Sequence, residues 1–122
     1  MQKQIKRFED LRIWQEGHRL AVEIYKLTSN FPKMEIFGLT SQLQRCSSSV
    51  PANIVEGYYR DTTKELIKFL FNARGSAGEV TYFLILALEL KYITNKDYNN
   101  LRFSYEKLLA SISSLINKLR KK

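Results

Sequence analysis

Apolar residues recur along this chain at intervals of three and four, and this spacing predicts amphipathic helices. Four such segments are found, at about residues 9–30, 36–59, 63–92 and 96–119. None shows the alternation that is typical of strands. Because only a few residues connect the segments, neighbouring helices are expected to run antiparallel. We therefore predict an all-α fold made of one domain over residues 1–122, an up-down-up-down left-handed four-helix bundle with a basic tail at 118–122.

The third helix is apolar on two faces. The first face, which includes Leu70, Ala77 and Leu84, fits the core of a bundle. The opposite face is formed by Phe71, Gly75, Gly78, Tyr82, Leu86 and Ile93. A single bundle of this size would cover only one of them, so we predict that the second face is a homo-oligomer interface. The alternative is a helix at the centre of a larger globule, which 122 residues are too few to build.

The first two helices carry unusual positions. The first helix has a second apolar arc beside its core arc, formed by Leu11, Trp14, His18, Ala21 and Tyr25. The second helix contains Pro51, which removes a backbone donor and predicts a kink. The preceding Ser47, Ser48 and Ser49 are expected to bond the freed backbone groups.

A polar seam runs along the second helix beside its apolar stripe. Its members recur at steps of three or four and are Gln42, Arg45, Ser49, Asn53, Glu56 and Arg60. A solvated face would be filled with stronger helix formers such as Lys, Glu and Ala. The seam therefore indicates either a structural network that sets the register between subunits or a surface that contacts a ligand at an interface or channel. Glu56 and Arg60 are expected to form an ion pair.

Composition is consistent with a soluble, cytoplasmic protein. The chain has 44% hydrophobic residues, which is enough for a core, and one cysteine, Cys46, so an internal disulfide is impossible. Its longest apolar run is far shorter than a membrane span, and the basic start lacks the apolar part of a signal peptide. We expect no membrane partner.

The formal net charge is +8, and the excess is concentrated at the two ends of the chain. Residues 1–33 contain seven basic and four acidic side chains, and residues 94–122 contain seven and two. This asymmetry predicts binding of RNA or single-stranded nucleic acid through phosphate contacts. The candidate contacts are Lys3, Lys6, Arg7, Arg102, Lys107, Lys118, Arg120, Lys121 and Lys122. A basic surface that only confers solubility is the alternative.

Motifs for catalysis are sparse. The sequence has no zinc, di-iron or phosphate-loop motif, so we predict no metal, no cofactor and no catalytic residues. Cys46 falls on the apolar stripe and is predicted to be an inert core residue. Arg12 and His18 have the Arg-x5-His spacing of ribonucleases of the HEPN type, but the two positions lie about 120° apart on a helix. A metal-independent RNase is therefore a remote alternative to a non-enzymatic protein.

Several motifs resemble the bacterial family of 23S rRNA intervening-sequence proteins. They are Phe8-Glu9-Asp10-Leu11 with Trp14-Gln15, Phe31-Pro32, Gly38-Leu39-Thr40-Ser41-Gln42, Ser49-Val50-Pro51-Ala52-Asn53-Ile54-Val55-Glu56-Gly57, Phe69-Leu70, Ala73, Gly75-Ser76 and Glu79. The resemblance extends from Phe8 into the fourth helix. It departs at Ala77-Gly78, where the family more often has a larger apolar residue.

The resemblance implies a four-helix bundle that assembles into a ring-like homopentamer with RNA as a partner. The accessory proteins of diversity-generating retroelements are related to this family, and they form basic pentamers that engage a reverse transcriptase and nucleic acid. A second hypothesis follows from them. The ring would be a scaffold for another protein, with no direct role in binding nucleic acid.

Overall fold

The computed structural model describes residues 7–121, and this part of the chain contains α-helices and short 3-10 turns but no strand. The all-α prediction is confirmed. The four α-helices are α1 (Arg12–Thr28), α2 (Leu39–Tyr58), α3 (Thr63–Glu89) and α4 (Asn95–Arg120). The 3-10 turns, Phe8–Asp10 and Lys33–Glu35, precede α1 and α2 respectively.

Side-chain caps explain where three of the helices begin. The hydroxyl of Thr62 accepts the Glu65 N–H at 3.2 Å at the start of α3. The Thr94 hydroxyl caps α4 in the same way, from the Asp97 N–H at 3.1 Å. At the start of α2, the carboxylate of Glu35 accepts the Leu39 N–H at 3.0 Å. These bonds satisfy amide groups that a helix leaves without partners in its first turn.

Three of the predicted helix ends are wrong by three residues, one of them the start of α2, which lies at Leu39 instead of residue 36. Residues 8–10 form a separate 3-10 turn, so α1 begins at Arg12 instead of residue 9. α3 ends at Glu89 instead of residue 92. Lys91 explains the error at the end of α3, because its φ of 63° lies in the left-handed region, which no helix can contain.

Each helix packs against two others, with α1 and α3 both contacting α2 and α4. Cross-helix contacts pair the end of one helix with the beginning of the next. Gln44 Nε2 donates to the Thr28 hydroxyl at 3.1 Å, while Gly17, near the start of α1, lies against Pro51 in the second half of α2. The core lies between the helices, and its fully buried members include Leu20, Leu43, Leu70, Leu84, Tyr105 and Ile112.

The helix α2 is continuous through Pro51, so the predicted kink does not interrupt it. The serines bond other groups than those predicted. Proline frees the carbonyl of Ser47, yet the hydroxyls of Ser47 and Ser48 each donate at 3.2 Å to the carbonyl three residues before them. Pro51 is buried against Gly17, where an added Cβ would lie 3.2 Å from Val50 Cγ1. The absence of a side chain at Gly17 therefore lets α1 approach α2 closely.

Candidate nucleic-acid interface

The predicted basic contacts have very different surroundings. Lys3, Lys6 and Lys122 lie outside the described residues. The guanidinium of Arg7 bonds Glu9 at 3.0 Å, and that of Arg102 bonds Glu106 at 2.8 Å. These pairings raise the pKa of both arginines, chiefly through the side-chain hydrogen bond. Arg7 and Arg102 are thus partly neutralised by their own neighbours.

At the end of α4, the guanidinium carbon of Arg120 lies 5.0 Å from the centroid of the Phe71 ring. Arg120 therefore covers an apolar residue of α3. Lys118 and Lys121 are exposed. The ninth candidate, Lys107, lines the same groove as Arg12 and Arg19, two arginines that were not among the predicted contacts.

Lys107 lines a groove between α1 and α4 that we call the α1–α4 groove. It encloses about 410 Å³ and is lined by Arg12, Ile13, Gln15, Glu16, Arg19, Phe103, Ser104, Lys107, Leu108 and Ser111. Three cationic side chains and one carboxylate belong to this lining. The groove therefore presents a net positive charge together with hydroxyl donors.

Glu16 is the acidic side chain of the groove lining, and the three cationic side chains of the lining all act on its carboxylate. Its carboxylate accepts a hydrogen bond from Arg19 at 2.9 Å, which is the main reason why its pKa is lowered, and the charges of Lys107 and Arg12 lower it further. Arg19 also pairs with Glu23 on the next turn. By contrast, Arg12 and Lys107 form no hydrogen bond or ion pair with any residue from 7 to 121. These two cations are available to an external anion.

Phe103 forms the outer side of this groove and is 66% exposed. The ammonium nitrogen of Lys107, one turn further along α4, lies 5.6 Å from the centre of its ring. Phe103, Arg12 and Arg19 are not among the nucleic-acid contacts that the sequence predicts. The available signal was the position of Phe103, a large aromatic residue outside the apolar stripe of the fourth helix.

Arg12 and His18 do not share a site. Arg12 lines the α1–α4 groove, whereas the ring of His18 stacks on Trp14 in a different groove, with centroids 4.8 Å apart. The structure thus places the two residues of the ribonuclease-type spacing on different sides of α1.

The second groove, the α1–α2 groove, is mainly apolar. It encloses about 800 Å³ and is lined by Phe8, Trp14, His18, Ala21, Val22, Tyr25, Lys26, Ser29, Ser48, Pro51, Ala52 and Val55. Its α1 wall contains Trp14, His18, Ala21 and Tyr25, all from the second apolar arc of the first helix. The sequence pattern therefore located one wall, and packing against α2 supplied the other.

The polar seam of α2 is joined by local hydrogen bonds. The pairs are Gln42 with Arg45 at 3.4 Å, Ser49 with Asn53 at 2.9 Å, and Glu56 with Arg60 at 2.5 Å. The expected ion pair of Glu56 and Arg60 is thus present. One bond leaves the helix, since the Ser76 hydroxyl on α3 donates to the Ser49 hydroxyl at 3.1 Å. The middle of the seam faces α3, while Gln42, Arg45, Glu56 and Arg60 remain exposed.

The outer face of α3, comprising Phe71, Gly75, Gly78, Tyr82 and Leu86, is only partly covered. Tyr82 is 56% exposed, and a Cβ built on either glycine would meet no atom within 4 Å. Phe71 and Leu86 are partly buried. Placing Ile93 on this face was wrong: it is only 8% exposed and belongs to the core. The reason is the left-handed Lys91, which takes the chain out of helical register before Ile93.

A loop before α2 exposes apolar residues that the periodic pattern did not mark. Phe37 is 95% exposed, and Met34 and Ile36 are also exposed. Glu35 fixes this loop, because its carboxylate accepts the Tyr92 hydroxyl at 2.8 Å as well as the Leu39 amide. The backbone bond and then the tyrosine bond lower the pKa of Glu35.

The thiol of Cys46 lies in the buried core. Burial is the main cause that raises the pKa of Cys46 to about 12, so its reactive thiolate form is suppressed, in agreement with an inert core residue.

Within residues 7–121 there is no group of three or more His, Cys, Asp or Glu side chains able to hold a metal ion. The helices of this same part include none long and apolar enough to cross a membrane.

The fold and the groove define an all-α protein with four helices and a basic cleft between the first and the last. The family of 23S rRNA-intervening sequence proteins matches residues 9–114, and the chain belongs to this family. Its structure is similar to a crystal structure from Bacteroides thetaiotaomicron, a protein of unknown function from the S23 ribosomal protein family, with a TM-score of 0.77 and 26% identity. The similarity covers 85% of this chain and 97% of the other. Comparison with curated proteins gives no match.

Proposed function

We propose that this protein is a non-enzymatic homo-oligomer that binds RNA, or other single-stranded nucleic acid, through phosphate contacts in the α1–α4 groove. The observation that carries the proposal is that Arg12 and Lys107 lie in one groove and have no hydrogen-bond or ion-pair partner among residues 7–121. Phosphate oxygens would replace the water around these cations and release counterions from the nucleic acid. No cofactor or metal takes part in this proposal.

Other groups extend the positive surface. Arg19 also lines the groove, although its guanidinium is paired with the carboxylates of Glu16 and Glu23. Lys118 lies about three turns further along α4, and Lys121 directly follows the last residue of this helix. A strand that follows α4 would therefore meet the groove first and the exposed lysines afterwards.

The test compares two double variants that lose the same charge. Arg12→Gln with Lys107→Gln removes the groove cations, while Lys64→Gln with Lys96→Gln removes two exposed lysines from elsewhere. We expect the groove variant to bind a labelled single-stranded RNA more weakly, with a salt slope smaller by roughly 1.4, since each lost contact to a single strand contributes about 0.7. The measurement is fluorescence anisotropy between about 50 and 200 mM salt. If both variants weaken binding equally, only net charge matters and the groove is not the site.

The proposed assembly is a ring of bundles, and the subunit number of five comes from the family resemblance. Support for the oligomer comes from the exposed Tyr82 and the open glycines on the outer face of α3.

Support for the up-down-up-down arrangement comes from contacts whose order reverses between successive helices, such as Ser49 with Ser76 and Gly57 with Leu66. The polar seam is proposed to set register between subunits. A cytoplasmic location is proposed from the single, buried Cys46.

A protein-interaction scaffold is the second candidate function. The apolar α1–α2 groove favours it, because Trp14, Val22 and Tyr25 offer a surface that suits a protein partner better than a phosphate. A purified polymerase or reverse transcriptase that stays bound after nuclease digestion, and is lost on Tyr25→Glu, would support this function. Loss of the partner on digestion would favour nucleic-acid binding instead.

A further inference from the structure

We infer that the α1–α4 groove also binds an unpaired base, stacked on Phe103, beside the phosphates held by Arg12 and Lys107. This inference rests on the proposed function and deepens it by adding recognition of an unpaired base to the phosphate contacts. Its basis is the position of an exposed aromatic ring at the edge of a cationic groove.

Phe103 has the accessibility that stacking requires. It is 66% exposed, although phenylalanine is a residue that folding ordinarily buries. The core does not need it, because the fourth helix fills the core with Leu101, Tyr105 and Leu108 on its other side. A flat ring on the rim of a positive groove can stack any base, since every base has a π-face.

The surrounding groups match the remaining parts of a nucleotide. Lys107 lies over the Phe103 ring at 5.6 Å, so its flexible ammonium can move from the ring to a phosphate next to a stacked base. Arg12 approaches from the opposite wall on α1, and the hydroxyls of Ser104 and Ser111 line the same groove. Ring, cations and hydroxyls thus lie together at one place on the surface.

The size of the groove favours single strands. Its volume of about 410 Å³ falls within the range of small-ligand sites, roughly 300–1,000 Å³, and suits a base with its phosphate. In a duplex the bases are stacked and paired, so their faces are unavailable to Phe103. A duplex would gain only the phosphate contacts, whereas an unpaired strand would gain the phosphate contacts and base stacking on Phe103.

The experiment measures binding of three probes of equal length: a single-stranded oligouridine, an abasic single strand and a duplex. The variants are Phe103→Ala, Phe103→Leu and Phe103→Trp. Because the side chain is exposed, all three should fold, which circular dichroism checks. Phe103→Ala is expected to weaken oligouridine binding about five- to 100-fold while changing abasic-strand and duplex binding less than about twofold.

The other variants separate stacking from apolar contact. Phe103→Leu should bind as weakly as Phe103→Ala, because leucine is apolar but has no ring face. Phe103→Trp should retain or strengthen oligouridine binding, and base stacking should quench the fluorescence of its introduced indole. Unchanged oligouridine affinity in Phe103→Ala would overturn the inference while leaving phosphate binding intact. Failure of the unmodified protein to bind any probe would overturn both the inference and the proposed function.

Discussion

Tyr105 is fully buried in the core, and its hydroxyl has no hydrogen-bond partner among the described residues. Burial is the main cause that raises the pKa of this tyrosine. An unsatisfied buried hydroxyl loses its bonds to water without replacing them, which destabilises the folded state. The neighbouring Tyr98 differs, because its hydroxyl accepts a hydrogen bond from Arg102 at 2.8 Å.

Replacing Tyr105 with phenylalanine should therefore stabilise the protein. The ring and its packing remain, and the desolvated hydroxyl is removed, so the free energy of unfolding should rise by about 1 kcal/mol. Urea denaturation followed by circular dichroism measures the change. Tyr98→Phe is the matched control and should leave stability equal or slightly lower. A loss of stability in Tyr105→Phe would mean that its hydroxyl does have a partner.

At the scale of the helices, glycine has two opposite roles. A Cβ on Gly57 would lie 3.0 Å from both Leu66 Cδ1 and Phe69 Cβ, so the lack of a side chain lets α2 pack closely on α3. Gly75 lies in the exposed part of α3, and a Cβ there would meet nothing within 4 Å. Sequence periodicity distinguishes a glycine on one helix face from one on another, but it does not measure the space around it.

Alanine at these two positions should change stability in opposite directions. In Gly57→Ala, overpacking of roughly 1–3 kcal/mol should outweigh the gain of about 1 kcal/mol from better helix propensity. In Gly75→Ala, measured at a protein concentration low enough that no second copy covers the outer face of α3, only the gain of about 1 kcal/mol should remain. Thermal and urea unfolding measured on both variants check this prediction. Equal effects in the two variants would show that the close approach at Gly57 does not control packing.

At the scale of the whole molecule, exposed apolar side chains are gathered in separate places. Tyr82 marks the outer face of α3, Phe37 marks the loop before α2, and Phe103 marks the α1–α4 groove. We propose different tasks for two of them: Tyr82 for contact with another copy and Phe103 for nucleic-acid binding. Gly75 and Gly78 leave two positions on the outer face of α3 without side chains, which allows another helix to approach.

A charge on the outer face of α3 should therefore break the proposed oligomer. Tyr82→Glu would bury a carboxylate between subunits, so the mass from light scattering should fall towards the 14.3 kDa of one chain. Phe37→Glu introduces the same charge at the most exposed aromatic residue and should leave the mass unchanged. A fall in mass only for Phe37→Glu would move the interface to the loop. A monomer before any substitution would exclude the assembly.

Much of the fold follows from the sequence, because periodic burial is a local property of a helix. The steps of three and four fixed the number of helices and the core stripe of α4 from Leu101 to Ile116. Helix ends were less accurate, since a cap at Thr62 or a left-handed Lys91 depends on single residues. The motifs from Phe8 onward also identified the family.

The candidate site was decided by the tertiary structure. Its cations come from α1 and α4, the first and last helices, and the charge count could place them at the chain ends but not in one groove. Which cations lack a partner also depends on neighbours: among residues 7–121, Arg102 is paired with Glu106, whereas Lys107 forms no ion pair. The sequence determines what each helix presents on its surface. Packing determines which surfaces meet, because contacts between distant segments form only when the helices are brought together.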